Sequence, residues 1–209
     1  MASLWVDKPY DLISTLAFSK DVGSSPSQYS LTVRDLRSSQ TSHSANYVAT
    51  QMALAHNGMI RGLNSIVLQA PNIPSNDISA IRDFLVYCQC WCESMHHHHD
   101  AEEAEFFPTI EKISGIKGLM EHNVEQHRAF TLGFDVFYQY AKTCAPKNFN
   151  GAKVKSLVEA FAEPLTRHLH DEIETLRALD VYDSVKVREA YHDFEKLLMA
   201  TDNVSPDHS

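Results

Sequence analysis

One helical turn separates His98 from Glu102, and the residues sharing their side of that segment are Phe84, Cys88, Trp91, Met95 and Phe106. Positions i and i+4 of an α-helix project from the same face, about 6 Å apart along the axis. An imidazole and a carboxylate on an apolar stripe go inward with it, and a carboxylate buried without a partner is heavily penalised. The fold must therefore bring compensation to that stripe from another element. The same spacing recurs at His168 and Glu172, so two buried acids need it. Helices facing one another around a shared polar centre would satisfy both.

The remaining periodicity supplies such helices. Val48, Met52, His56, Met59, Leu63 and Ile66 keep the 3-and-4 spacing of an inward face, and Pro71 and Pro74 close that segment. Ser75-Asn76-Asp77 offers capping oxygens for a second helix running towards Pro108. Gly115 and Gly118 mark a turn before a third stripe of Met120, Val124, His127, Thr131, Phe134 and Tyr138. After Pro146 and Gly151 a fourth stripe carries Val154, Phe161, Leu165, His168, Glu172, Leu176 and Leu179, with a kink expected at Pro164. A shorter fifth helix is expected from about Ser184 to Ala200. The pattern predicts an all-α protein: an up-down-up-down four-helix bundle, with an irregular N-terminal segment and a short C-terminal fifth helix. Residues 1–38 form the irregular segment, 39–200 the bundle with its extra helix, and 201–209 a flexible tail. Trp5, Tyr10, Leu12, Ile13, Leu16 and Phe18 are apolar enough for the first segment to pack on the bundle.

Composition removes several function classes. A net charge of −9 disfavours nucleic acid as a partner. No apolar run approaches the ~18 residues of a membrane span. Met1 to Pro9 lacks the basic start and apolar core of a secretory signal, so a cytoplasmic protein is expected. Cys88, Cys90 and Cys92 are two apart, not in the CxxC spacing of a zinc ribbon or redox pair. Cys88 reads as a buried free thiol, and Cys144 has no evident partner.

Each of the four long helices places a histidine on its own apolar face: His56, His98, His127 and His168. Any one alone reads as a satisfied core histidine, and one His-xxx-Glu pair could be a surface hydrogen bond. Jointly, the four imidazoles with Glu102 and Glu172 point to a pair of divalent ions inside the bundle. Hard carboxylate oxygen with imidazole nitrogen, and no thiolate, suits iron or manganese. In the second helix two registers compete. His98/Glu102 lies on the more apolar stripe and is preferred to His99/Glu103, which aligns with Leu85, Cys92, His96 and Phe107. His96 and His97 then read as helix-surface residues.

These residues together resemble the hemerythrin-like, HHE cation-binding family: His56, then His98-His99-x-x-Glu102-Glu103 followed by Phe107-Pro108, then Glu125-Gln126-His127, then His168-Leu169-x-Asp171-Glu172. The resemblance covers residues 40–180 or so. It implies two non-haem Fe ions bridged by carboxylates and an oxo or hydroxo group. Glu102 and Glu172 would bridge, and His56, His98, His127 and His168 would be terminal ligands. One departure matters: oxygen-carrying members have a His-xxx-His pair in the third helix, and here Asn123 stands one turn before His127. His122 lies about 140° around the helix from His127, and His99 and Glu103 are further candidates to join the set. The resemblance implies binding of dioxygen or another diatomic such as nitric oxide. The missing third-helix histidine motivates an alternative, an oxygenase or oxidase acting on a small organic substrate, with Trp91, Phe134 and Tyr138 as aromatic lining. A third reading is a metal that only staples the bundle.

Overall fold

The structure, a computed structural model, describes residues 5–15 and 43–201. Every regular element among them is helical. Helix α1 spans Ser44–Gln69 and ends at a 3-10 turn, Ala70–Asn72, that contains Pro71. Helix α2 spans Ile78–Ala101, and Asp77 caps it by accepting the Ala80 N–H at 2.9 Å. It runs without interruption into a π-helical turn, Glu102–Phe106, and then α3, Phe107–Ser114. The Phe107 N–H bonds to the Glu102 carbonyl five residues back, and Pro108 follows with no N–H to complete an α-type bond to Ala104. Gly115, at φ 70, takes the left-handed conformation that ends α3. Helix α4 spans Glu121–Thr143.

The expected fourth helix is two helices, α5 (Gly151–Glu159) and α6 (Ala162–Arg177), rather than one kinked rod. Pro164 cannot bond the Ala160 carbonyl, so the chain stops there and restarts. Pro164 then sits in the first turn of α6, where a missing N–H is harmless. Helix α7 spans Ser184–Thr201.

Side-chain pairings fix the directions. Gln89 of α2 donates to the Ala141 carbonyl of α4 at 2.9 Å, while His96 meets Asp135 further along at 3.2 Å. Phe134 of α4 packs on Phe161, 5.3 Å between centroids, and Gln126 donates to Asp171 at 2.8 Å. On α1, His43 bonds the Tyr182 carbonyl at 2.8 Å and His56 that of Leu169 at 2.7 Å. Each of these neighbours is antiparallel. The buried interior is continuous, from Val48, Met52 and Ile60 of α1 through Trp91 and Met95 to Phe137, Phe161 and Leu165. Helix α7 covers the side between α1 and the π turn, stacking Phe194 on Phe106 (5.1 Å) and Tyr191 edge-on to Tyr47 (6.3 Å).

The N-terminal stretch that is described packs against α1. Asn64 donates to the carbonyls of Val6 (2.8 Å) and Tyr10 (2.9 Å), Asn57 to that of Ile13 (3.0 Å), and Ile13 is buried. Leu16, Phe18 and the tail beyond 201 lie outside the described residues. Cys88 and Cys92 are buried free thiols, Cys90 is exposed, and burial pushes the Cys88 thiol up to about 12. Among the described residues no helix is long and apolar enough to cross a membrane.

Candidate metal centre

Seven ionisable side chains from α1, α2, the π turn, α4 and α6 meet in the bundle interior: His56, His98, His99, Glu102, His127, His168 and Glu172. All are buried, and His56, Glu102, His168 and Glu172 have no exposed surface at all. They form two overlapping groups. In one, His56 Nε2 lies 3.3 Å from His98 Nε2, and His98 Nε2 lies 2.8 Å from Glu102 Oε1. In the other, His127 Nε2 lies 3.0 Å from His168 Nε2 and 3.6 Å from Glu102 Oε2, with His99 beside them. Glu102 belongs to both. Glu172 Oε2 also reaches across, 3.4 Å from His56 Nε2 and 3.8 Å from His168 Nε2.

These separations fit a cation-binding site. Two donor atoms at right angles, each about 2.1 Å from a first-row ion, stand roughly 3 Å apart. The polar accounting agrees. Neither oxygen of Glu102 or Glu172 receives a hydrogen bond of normal geometry, nor has His99 Nε2 a partner. The donors converge on common points instead of satisfying one another, the arrangement a cation resolves.

Electrostatics points the same way. Burial is the chief cause holding the imidazoles uncharged: His56, His99 and His168 fall well below the usual histidine range, and His98 falls to about 3. Mutual repulsion of the clustered rings adds to this for His56, His99 and His168. Burial also raises Glu102 and Glu172 well above the carboxylate range, and the proximity of Glu102 raises Glu172 further. Neutral imidazoles keep their lone pairs for a metal, and a cation would restore both carboxylates to the ionised form.

Two rings are oriented from behind. His56 Nδ1–H donates to the Leu169 carbonyl at 2.7 Å, which leaves the Nε2 lone pair facing inward. His127 Nδ1–H donates to Glu103 Oε1 at 2.7 Å, and that carboxylate is partly exposed. Glu103 thus stands behind His127 rather than entering the cluster. Replacing it, Glu103→Ala, should lower metal affinity by roughly ten- to a hundredfold, as titration against a colorimetric chelator would read. Unchanged affinity would mean that His127 needs no carboxylate behind it.

The structure brings together all six residues singled out in the sequence, and adds His99. His98 and His99 fall in the same cluster, one in each donor group. Neighbouring helical residues diverge by about 100°, and a centre with two halves accepts both. His98 turns towards His56 and Phe194, with centroids at 5.4 and 5.6 Å. His99 turns towards His127 (4.5 Å) and His168 (5.2 Å). The signal available was that Glu102 is i+4 from one and i+3 from the other, so both share a face with it. His122 is exposed, whereas Asn123 is fully buried. His96 pairs with Asp135 at 3.2 Å and His97 bonds the Leu198 carbonyl at 3.3 Å, both away from the centre. The phenyl rings packed on these imidazoles are Phe130, 5.1 Å from His99, Phe194, 5.6 Å from His98, and Phe107, 5.7 Å from His127. The expected lining of Trp91, Phe134 and Tyr138 packs elsewhere. Trp91 packs with Phe134 and Phe161, and the Tyr138 hydroxyl donates to Glu93 at 2.9 Å.

The sequence profile of the hemerythrin HHE cation binding domain matches residues 48–179. The chain is also 34% identical over 143 residues to a protein from Cryptosporiopsis sp. (strain 8999) described as dimeric xanthone biosynthesis cluster protein R11. That alignment covers 68% of this chain and 54% of the relative, so the chain spans about half of that protein's length. No solved structure matches the chain.

Proposed function

Since the chain belongs to the hemerythrin HHE cation-binding family, we propose that it is a non-haem di-iron protein that binds a small ligand such as dioxygen or nitric oxide inside the bundle. The observation that carries this is the sharing of Glu102 between two donor groups, because one ion would need only one of them. His56 and His98 would hold one iron and His99, His127 and His168 the other, with Glu102 and Glu172 between them. Manganese would suit the same donors. Bound iron would supply a redox-active Lewis acid with room for an exogenous ligand. The protein's own part is to keep five imidazoles neutral and aimed inward, and to close the centre from water with Phe106, Phe107, Phe130 and Phe194, all buried.

A second reading is an oxidative enzyme, an oxygenase or oxidase acting on a small organic substrate. What favours it is the relative assigned by its description to a xanthone biosynthesis cluster, which makes an aromatic substrate the first class to try. One experiment addresses both. Iron per chain is counted, the reduced protein is exposed to oxygen or nitric oxide, and the optical spectrum is followed. About two irons and a persistent new band support ligand binding. Rapid decay to a ferric end state, quickened by an aromatic substrate, supports the enzyme. A protein that takes up iron but shows no spectral response to either gas would refute the ligand-binding reading.

A further inference from the structure

Asn123 is fully buried, and neither its Nδ2 nor its Oδ1 has a hydrogen-bond partner among the described residues. It lies on the inward stripe of α4, one turn before His127 and in line with Phe130, Phe134 and Phe137. The register of α4 against α6 places it further. Phe134 packs on Phe161 (5.3 Å), His127 on His168 (4.3 Å), and Gln126 bonds Asp171 (2.8 Å), so the two helices are antiparallel with a fixed offset. One turn back along α4 and one turn on along α6 brings Asn123 level with Glu172, whose carboxylate oxygens also lack hydrogen bonds. A buried amide with both ends unpaired destabilises a fold that a leucine of similar shape would leave intact. Groups of this kind ask for a ligand or a water to explain them.

We propose that Asn123 hydrogen-bonds a small exogenous ligand, a water or an anion of the azide class, held at the dimetal centre beside Glu172. The inference rests on the dimetal reading above. A carboxamide suits the task because its NH2 donates to an anion while its carbonyl accepts from a protonated ligand. It is also uncharged at every working pH and a poor iron ligand, so it can face the centre without joining it. The histidine that oxygen-carrying members have here would bind the metal instead. In this chain His99 stands beside His127 and His168, which leaves position 123 for recognition. Asn123 is thus a positioning residue for the ligand, acting on what is bound rather than on the ions.

The test compares iron-loaded wild-type protein with Asn123→Leu and Asn123→Ala. Azide is titrated by its charge-transfer absorption, iron per chain is counted, and the metal-free proteins are melted. The expected result is wild-type iron content in both variants, azide bound about tenfold more weakly, and a metal-free Asn123→Leu protein that melts no lower than wild type. If an iron-replete variant binds azide as tightly as wild type, the inference is overturned while the dimetal reading stands. Lower melting of metal-free Asn123→Leu would assign the amide to structure and overturn it as well. If wild-type protein takes up no iron, both fail together.

Discussion

Glu102→Gln should leave the protein unable to retain either metal ion, whereas His99→Ala should cost it only one. The asymmetry follows from where the atoms lie. Glu102 Oε1 is 2.8 Å from His98 Nε2 and Oε2 is 3.6 Å from His127 Nε2, so its two oxygens serve the two halves separately. Glutamine keeps the shape but removes half of the carboxylate charge facing two dications, and turns one oxygen into a donor. His99 belongs to the donor group containing His127 and His168. Its loss leaves His56, His98 and both carboxylates for the other ion. Metal per chain by plasma emission should fall from about two to near zero for Glu102→Gln, and to about one for His99→Ala. Metal-free Glu102→Gln should melt at or above wild type, because an amide of the same volume carries none of the cost of burying an ionisable carboxyl. A Glu102→Gln protein that keeps two ions would show the carboxylate is not shared, and the two-halves reading would go with it.

Much of this was legible in the chain, and what was hidden was hidden for a physical reason. Helix existence followed from the 3-and-4 spacing, since an apolar stripe on each segment leaves few other ways to bury it. The approximate depth of His56, Glu102, His127, His168 and Glu172 came with it. Break positions were less secure. Pro164 was read as a kink, yet its lack of an N–H ends α5 at Ala160 and restarts the chain as α6. The π turn at Glu102–Phe106 was not visible either, because periodicity assigns one phase to a helix and a π turn changes the phase midway. Both Phe106 and Phe107 are buried at this turn. His99 stays only a further candidate in the sequence for a related reason: a one-stripe picture cannot decide between adjacent residues of one helix. The role of Glu103 depends on a 2.7 Å contact to His127 across 24 residues, and spacing within one helix carries no trace of that. Cover of the His98 side by Phe194 of α7 (5.6 Å) was equally invisible, since the fifth helix's docking face depends on its neighbours.

Stripping the metal should expose the cost of assembling this cluster as a stability that depends on pH, with the imidazoles and the carboxylates acting in opposite senses. The buried imidazoles are depressed below the ordinary histidine value of 6.5, so the unfolded chain takes up their protons first. Their contribution is present above 6.5 and is lost as pH falls. His98, held down to about 3, contributes to this loss throughout the interval below 6.5. Glu102 and Glu172 act in the opposite sense. Their folded values lie above 4.5, so the folded state keeps protons that the unfolded chain has released, and stability declines as pH rises through the raised values. Between 4.5 and 6.5 the more numerous histidines outweigh the two acids and stability climbs with pH. Above 6.5 only the acids act, and any further change with pH is a decline. Iron should abolish the high-pH decline, because a cation beside each carboxylate favours the ionised form. Free metal at a hundred times its dissociation constant adds about 2.7 kcal/mol, roughly 5 to 10 °C in Tm for a chain of this size. Thermal melts at pH 5, 6.5 and 8, with chelator and with ferrous iron under nitrogen, would read all of this. A metal-free protein equally stable at pH 6.5 and 8 would mean that Glu102 and Glu172 are already ionised without metal, and that something other than a cation compensates them.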